Sequence, residues 1–165
     1  MKQSLIALLS IFMIACSQEE IKNVGDISFD RKLDDANFKL CNEQTIEQYY
    51  VRWSSDIPPG YKGEKRGLEK AILDAYRFPQ AAEENGFITI RFIVNCKGES
   101  GRFRIEEMDV AYQAKSFDKA ITGQLLDIVK SLKAWIPRKS NGVDLDYYQY
   151  LTFKMDQGQI IKILP

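Results

Sequence analysis

Gly86-Phe87-Ile88-Thr89-Ile90-Arg91-Phe92-Ile93-Val94-Asn95-Cys96-Lys97-Gly98 is the stretch that decides the fold. Ile88, Ile90, Phe92, Val94 and Cys96 alternate with Thr89, Arg91, Ile93 and Asn95. Successive side chains of a strand point to opposite sides, so this pattern makes one wholly apolar face and one mixed face. That is the pattern of a sheet covered on one side. Asn95-Cys96-Lys97-Gly98 predicts a hairpin turn, and Arg102–Met108 a returning strand with Phe103 and Ile105 on one face.

An apolar sheet face needs a second layer to leave water. Two helical stripes supply it. Leu68, Ala71, Ile72, Ala75 and Tyr76 recur at helical spacing from Gly67 onward. Phe117, Ile121, Leu125, Ile128, Leu132 and Trp135 trace a second stripe, with Pro137 and Asn141-Gly142 read as its end. Between them, Pro79 predicts a short helix through Ala81, Ala82 and Glu84, stopped at Asn85-Gly86. Tyr147–Met155 alternates as a further strand, and Gly158 turns the chain into the apolar end Ile160–Leu164. Tyr49, Val51 and Trp53 suggest another strand before Pro58-Pro59-Gly60. There is no internal repeat.

The start of the chain carries a different signal. Lys2, an apolar run from Leu5 to Ile14, and Ala15 before Cys16 form a secretory signal pattern. The run is about half of the roughly 20 residues a spanning helix needs. Met13-Ile14-Ala15-Cys16 resembles a bacterial lipobox, which implies lipidation at Cys16. A plain signal peptide or an uncleaved anchor is the alternative. Ser17-Gln18-Glu19-Glu20 resembles a surface-export signal, and reads equally as a solvated tether. The expected organisation is residues 1–15 as signal peptide, 16–37 as flexible tether, 38–66 as an N-terminal extension on or near the domain, and 67–165 as the domain itself. The expected location is the bacterial envelope, lipid-anchored and at the outer membrane, on either its periplasmic or its surface face.

Lipidation of Cys16 leaves Cys41 and Cys96. In an exported domain these form one disulfide, or else remain as two buried thiols. Lys and Arg number 23, against 23 Asp and Glu. That balance lacks the concentrated basic surface nucleic acid requires. There is no histidine, which removes Ser–His and Cys–His nucleophile pairs and imidazole metal sites. Gly98-Glu99-Ser100-Gly101 lies in a hairpin and is no nucleophile elbow. The acid pairs Glu83/Glu84 and Glu106/Glu107 read as solvated carboxylates, not as acid–base pairs. Arg91, Arg102 and Arg104 could present a basic sheet face to an anionic glycan or an acidic strand, or pair with Glu106 and its neighbours. No catalytic residue and no cofactor or metal site is expected.

Phe78-Pro79-Gln80-Ala81-Ala82, Gly86–Val94, Asn95-Cys96-Lys97-Gly98, Phe117-Asp118-Lys119-Ala120, Trp135-Ile136-Pro137 and Tyr150-Leu151-Thr152-Phe153 together resemble the TonB C-terminal domain. The resemblance spans about residues 68–158. It implies an α+β fold, with two helices packed on a three-stranded antiparallel sheet. It also implies partner binding by strand addition at the last strand, where Tyr148, Tyr150 and Thr152 would make contact. The five prolines form no long spacer, so the resemblance bears on the fold more than on energy transduction. The expected function is a lipid-anchored envelope protein acting as a protein-interaction module, related to TonB-dependent transduction or transport. The alternative is an envelope enzyme or glycan-binding protein acting on cell-wall material. The Ile160–Leu164 tail is a rival for the last strand's edge: if it folds back there, strand addition requires its release.

Overall fold

The computed structural model describes residues 26–43, 46–47, 60–78 and 84–164. In chain order the elements are β1 (Ile46–Glu47), α1 (Glu64–Ala75), β2 (Gly86–Val94), β3 (Ser100–Met108), α2 (Lys119–Ser131), β4 (Arg138–Ser140), β5 (Val143–Asp156) and β6 (Gln159–Leu164). The fold is α+β. Among the described residues its sheet has six strands and is mixed, not three-stranded and antiparallel. The expected trio exists as neighbours, β3–β2–β5, all antiparallel. The rest gathers on the far side of β5, where β4 and β6 pair antiparallel and β1 pairs parallel.

Ile88, Ile90, Phe92 and Val94 are fully buried and form one core with Leu151 and Phe153 of β5. The helices cover that face. Leu68 and Ile72 come from α1; Ile121, Leu125, Ile128 and Val129 come from α2. Asp118 starts α2 by accepting the Ala120 N–H at 2.7 Å, which satisfies an otherwise orphaned donor.

Three expectations change and one alternative is decided. First, α2 ends at Ser131, and Trp135 lies beyond it. The Lys62 N–H donates to the Ala134 carbonyl (2.8 Å) and the Ile136 N–H to the Gly60 carbonyl (3.0 Å), so this backbone pairs laterally instead of continuing the helix. Secondly, Asn141-Gly142 does not stop a helix. Both residues have positive φ, 50° and 81°, and close the β4–β5 hairpin. Two left-handed residues fit the twist of a two-residue hairpin, and Asn-Gly is the strongest short signal for it. Thirdly, the alternative left open for the tail is decided: it folds back as β6, with Phe153 opposite Ile163 and Thr152 opposite Leu164.

The fourth concerns the stretch expected as the end of a flexible tether. Residues 26–40 form a strap across the sheet face away from the helices; 26–37 are the part expected as tether, and 38–40 belong to the extension expected on or near the domain. Ile27 is buried, and the Phe38 ring rests where any side chain at Gly101 would have to be. Arg104 donates to both Asp34 carboxylate oxygens (2.7 and 2.8 Å) and to the Ser28 carbonyl (2.7 Å). The sheet is thus covered on both faces over part of its area.

The Arg104 guanidinium holds the Asp34 carboxyl below its ordinary value. A depressed folded pKa gives stability that is fully present above the unfolded value, about 3.9, and is lost as pH falls through the folded value. Arg104→Ala should cost about 2–3 kcal/mol at neutral pH, because it strands a buried carboxylate. Urea unfolding from pH 7 to pH 2 should show that difference constant down to about pH 5 and shrinking below about pH 4. A difference independent of pH would place the strap's attachment elsewhere. The strap residues Arg31 and Lys32 should also become faster trypsin sites in this variant.

Candidate functional site

Disulfide formation is observed: Cys41 and Cys96 are bridged, with Cα atoms 6.0 Å apart. Beside the bridge sits a residue that sequence reasoning passed over. Asp146 is fully buried. One of its oxygens accepts the Cys41 and Asn42 N–H groups, both at 2.7 Å, and the other accepts the Cys96 N–H at 3.0 Å. Three backbone donors satisfy one buried carboxylate and tie the N-terminal segment, the β2–β3 turn and β5 together. The Cys41, Cys96 and Asp146 ligand atoms lie within 4.8 Å of one another, but the sulfurs are bonded to each other and are not thiolate ligands.

The turn at Cys96 also fixes the neighbouring tryptophan. Asn95 is buried, and its side-chain oxygen accepts the Lys97 and Glu99 N–H groups. Gly98 has φ 78°, and a Cβ there would lie 2.6 Å from the Trp135 carbonyl, so only glycine fits. Trp135 is therefore held from its backbone. Its ring is met edge-on by Tyr61, with centroids 4.9 Å apart, and tilts onto Phe92 at 5.1 Å.

Trp135 lines a cleft of about 180 Å³ between α1 and the β5–β6 margin of the sheet. Leu68, Leu151 and Ile163 give it apolar walls. Glu64, Lys65 and Glu69 stand at its mouth, with Lys65 and Glu69 paired at 3.9 Å. Two of the lining residues carry a buried polar group with no hydrogen-bond partner among the described residues: the Trp135 indole N–H and the Gln149 side-chain oxygen. Both side chains are buried, at 4 % and 6 % exposure. Gln149 points here because it shares the helix-facing side of β5 with Tyr147, Leu151 and Phe153. Its amide nitrogen donates to the Tyr150 carbonyl at 3.2 Å, which turns the oxygen away from that bond. Unsatisfied buried polar groups are few in folded proteins and costly to keep.

Among the described residues, no pair of buried carboxylates lines this cleft. Glu64 is exposed at the rim and Glu69 is in an ion pair, so no buried acid faces a second carboxylate inside it. Burial raises the Tyr61 hydroxyl above its ordinary value. Nearby, burial pushes Tyr147 up to about 12, while its hydroxyl donates to the Ile136 carbonyl at 3.0 Å. These phenols are hydrogen-bond donors at neutral pH.

The residues expected to meet a partner are placed otherwise. Thr152 has β2 on one side and β6 on the other, and its hydroxyl meets that of Thr89 at 2.9 Å. The tail occupies the edge that strand addition at Thr152 would use. Tyr148 lies under the strap, where its hydroxyl bonds Asp26 and the Ile27 backbone and burial raises it. Tyr150 lies opposite Arg91 of β2. The arginines are engaged too: Arg91 pairs with Glu106 (2.6 Å), Arg104 with Asp34, and Arg102 lies over the Phe29 ring at 5.7 Å. Glu84 pairs with Lys115 (2.5 Å), and Glu107 accepts the Phe117 N–H (3.3 Å). Cys16, residues 17–20, the strand expected at Tyr49–Trp53, and Pro79–Glu83 of the short helix fall outside the described residues.

No protein-family model matches this chain, and no curated protein or solved structure matches it either.

Proposed function

We propose that this protein is a lipid-anchored envelope protein that acts as a binding module, with the cleft between α1 and the β5–β6 margin as its partner site. The observation that carries this reading is the open cleft itself, walled by Leu68, Leu151 and Ile163 and rimmed by Glu64, Lys65 and Glu69. An apolar concavity with a few polar groups about it is the usual form of a binding site. Rim carboxylates without a buried partner favour binding over hydrolysis. The Cys41–Cys96 bridge accords with an exported chain, because oxidising compartments preserve disulfides. The lipobox resemblance at Cys16 supports the anchor. The order of motifs from Phe78 to Phe153 supports kinship with the TonB C-terminal domain, and a role in TonB-dependent transport is part of this proposal only through that kinship.

Two variants test it. Cys16→Ala should abolish incorporation of labelled fatty acid and release the protein from the membrane fraction; retention with undiminished labelling would remove the anchor. Gly60→Leu should plug the cleft. A Cβ on Gly60 would sit 3.5 Å from the Gln149 oxygen, an ordinary contact, and Gly60 has no positive φ to strain. Wild-type protein should capture a stoichiometric partner from detergent-solubilised envelope. The plugged variant should lose it by tenfold or more while melting within a few degrees of wild type. Equal capture by a folded Gly60→Leu would overturn the cleft as the partner site.

A further inference from the structure

We infer that the strap is a membrane-contact surface: Phe29 and Leu33 enter the boundary of the phospholipid bilayer that holds the anchor, and Arg31 and Lys32 meet its headgroup phosphates. This inference rests on the lipid anchor at Cys16, not on the cleft. Cys16 and Asp26 are 26 − 16 = 10 residues apart. Ten residues span at most roughly 35 Å even when fully extended. That holds the start of the strap close to the bilayer surface. Exposed apolar groups flanked by cations, within that reach of lipid, have a ready place to go.

The backbone of the strap decides which of its residues face out. The Asp34 N–H donates to the Asp30 carbonyl (2.9 Å), closing one helical turn, and the Asp30 carboxylate accepts the Lys32 N–H (2.8 Å). The turn tucks Asp34 under to Arg104, with its side chain 1 % exposed, and leaves Arg31, Lys32 and Leu33 outside. Leu33 is 63 % exposed and Phe29 46 %. Insertion to headgroup depth takes these two side chains out of water. The neighbouring cations lay their stems along apolar matter and keep their charges in the phosphate layer. Between the strap and β3 lies a hollow of about 540 Å³, with Lys39, Glu43 and Arg102 in its lining. Both charge signs are present there, which suits a zwitterionic headgroup: phosphate to Arg102 and Lys39, amine to Glu43. Exposure alone does not single out the strap, because Leu73 on α1 is 49 % exposed. The tether's reach and the adjacent cations do. The helices cover the opposite face of the sheet, so contact through the strap turns the cleft away from the membrane.

The test uses the mature lipidated protein, purified from envelope and placed in nanodiscs of phosphatidylethanolamine and phosphatidylglycerol. The discs are doped with a phospholipid that carries a nitroxide on its headgroup. The readout is paramagnetic broadening of backbone amide signals in a ¹⁵N–¹H spectrum. The signals of Phe29, Arg31, Lys32 and Leu33 should be lost, and should return when ascorbate reduces the nitroxide. Those of Lys65 and Leu73 on α1 should be retained throughout. In the double variant Phe29→Ser, Leu33→Ser the strap signals should persist in the paramagnetic discs, although the lipid still holds the protein there. Unchanged β2 signals show that this variant is folded.

Retained strap signals in the lipidated wild-type protein overturn the inference and leave the anchor standing. So does equal loss at Leu73 and in the strap, which would mean that no face is preferred. So does undiminished loss in the double variant, which would mean that tether length alone brings the strap near the label. Strap signals that stay sharp in paramagnetic discs and shift with protein density in unlabelled ones would assign the surface to a second copy, and the inference falls. A mass spectrum with no acyl chain on Cys16 overturns the anchor and this inference together. The cleft reading stands or falls separately, on partner capture by Gly60→Leu.

Discussion

Asp146→Ala should destabilise the oxidised protein by about 3–4 kcal/mol in urea unfolding. The substitution removes the acceptor of three backbone N–H groups, from Cys41, Asn42 and Cys96, in a place where Asp146 has no solvent contact. Each part-buried donor left without a partner costs roughly 1–3 kcal/mol. Replacing Cys41 and Cys96 together with Ala should cost about 4 kcal/mol, from the loop entropy released over their separation of 55 residues. The two effects should not add. Asp146 and the bridge hold the same pair of segments, so the triple variant should lose less than the sum. A loss below about 1 kcal/mol for Asp146→Ala would mean that water readily replaces the carboxylate at those donors.

Leu125→Ala should cost about 2–5 kcal/mol, the range for a large-to-small change at a fully buried position. The neighbouring residue calibrates the helix phase. Leu126 is only partly buried against the same core, so Leu126→Ala should cost clearly less. Chemical denaturation of both variants with an unchanged m-value checks this. Equal costs would show that α2 sits on the sheet in another rotation. Ile121, Ile128 and Val129 carry the same face and should rank with Leu125.

The strand Ile88–Val94 and the α2 stripe were legible because each pattern has one period and one meaning. Alternation fixed the buried face of β2, and three-four spacing fixed that of α2. Both helices fall where the apolar stripes predict. What escaped was set by contacts distant in sequence. Asn141-Gly142 follows a helix and a proline, so it reads as a stop; only β5 on the far side makes it a hairpin. Trp135 fits the helical spacing, but its backbone is claimed by residues 60–62. Residues 26–40 mix charges and apolar residues with no period, and their order comes from single long-range anchors such as Asp34 to Arg104.

The candidate site was the least legible part. Gln149 sits in the alternation Tyr147-x-Gln149-x-Leu151-x-Phe153-x-Met155 as its one amide. That exception on a buried face was the available signal. Asp146 precedes the stretch that read as a strand, and nothing local marks it as buried. The disulfide could be reasoned from compartment and count. Tyr148 and Thr152 read as edge residues only if the tail stays off β5, whereas β6 pairs there and residues 26–27 cover Tyr148.

The claim that this molecule binds its partner through the α1/β5–β6 cleft is tested most directly by photocrosslinking in intact cells. A benzophenone side chain introduced at Lys65, on the rim and 56 % exposed, should form a discrete adduct with an envelope protein. The same group at Tyr112, which is 70 % exposed and follows β3 at the other margin of the sheet, should form none. The Lys65 adduct should disappear in Gly60→Leu. An adduct from Tyr112 with none from Lys65 would contradict the account.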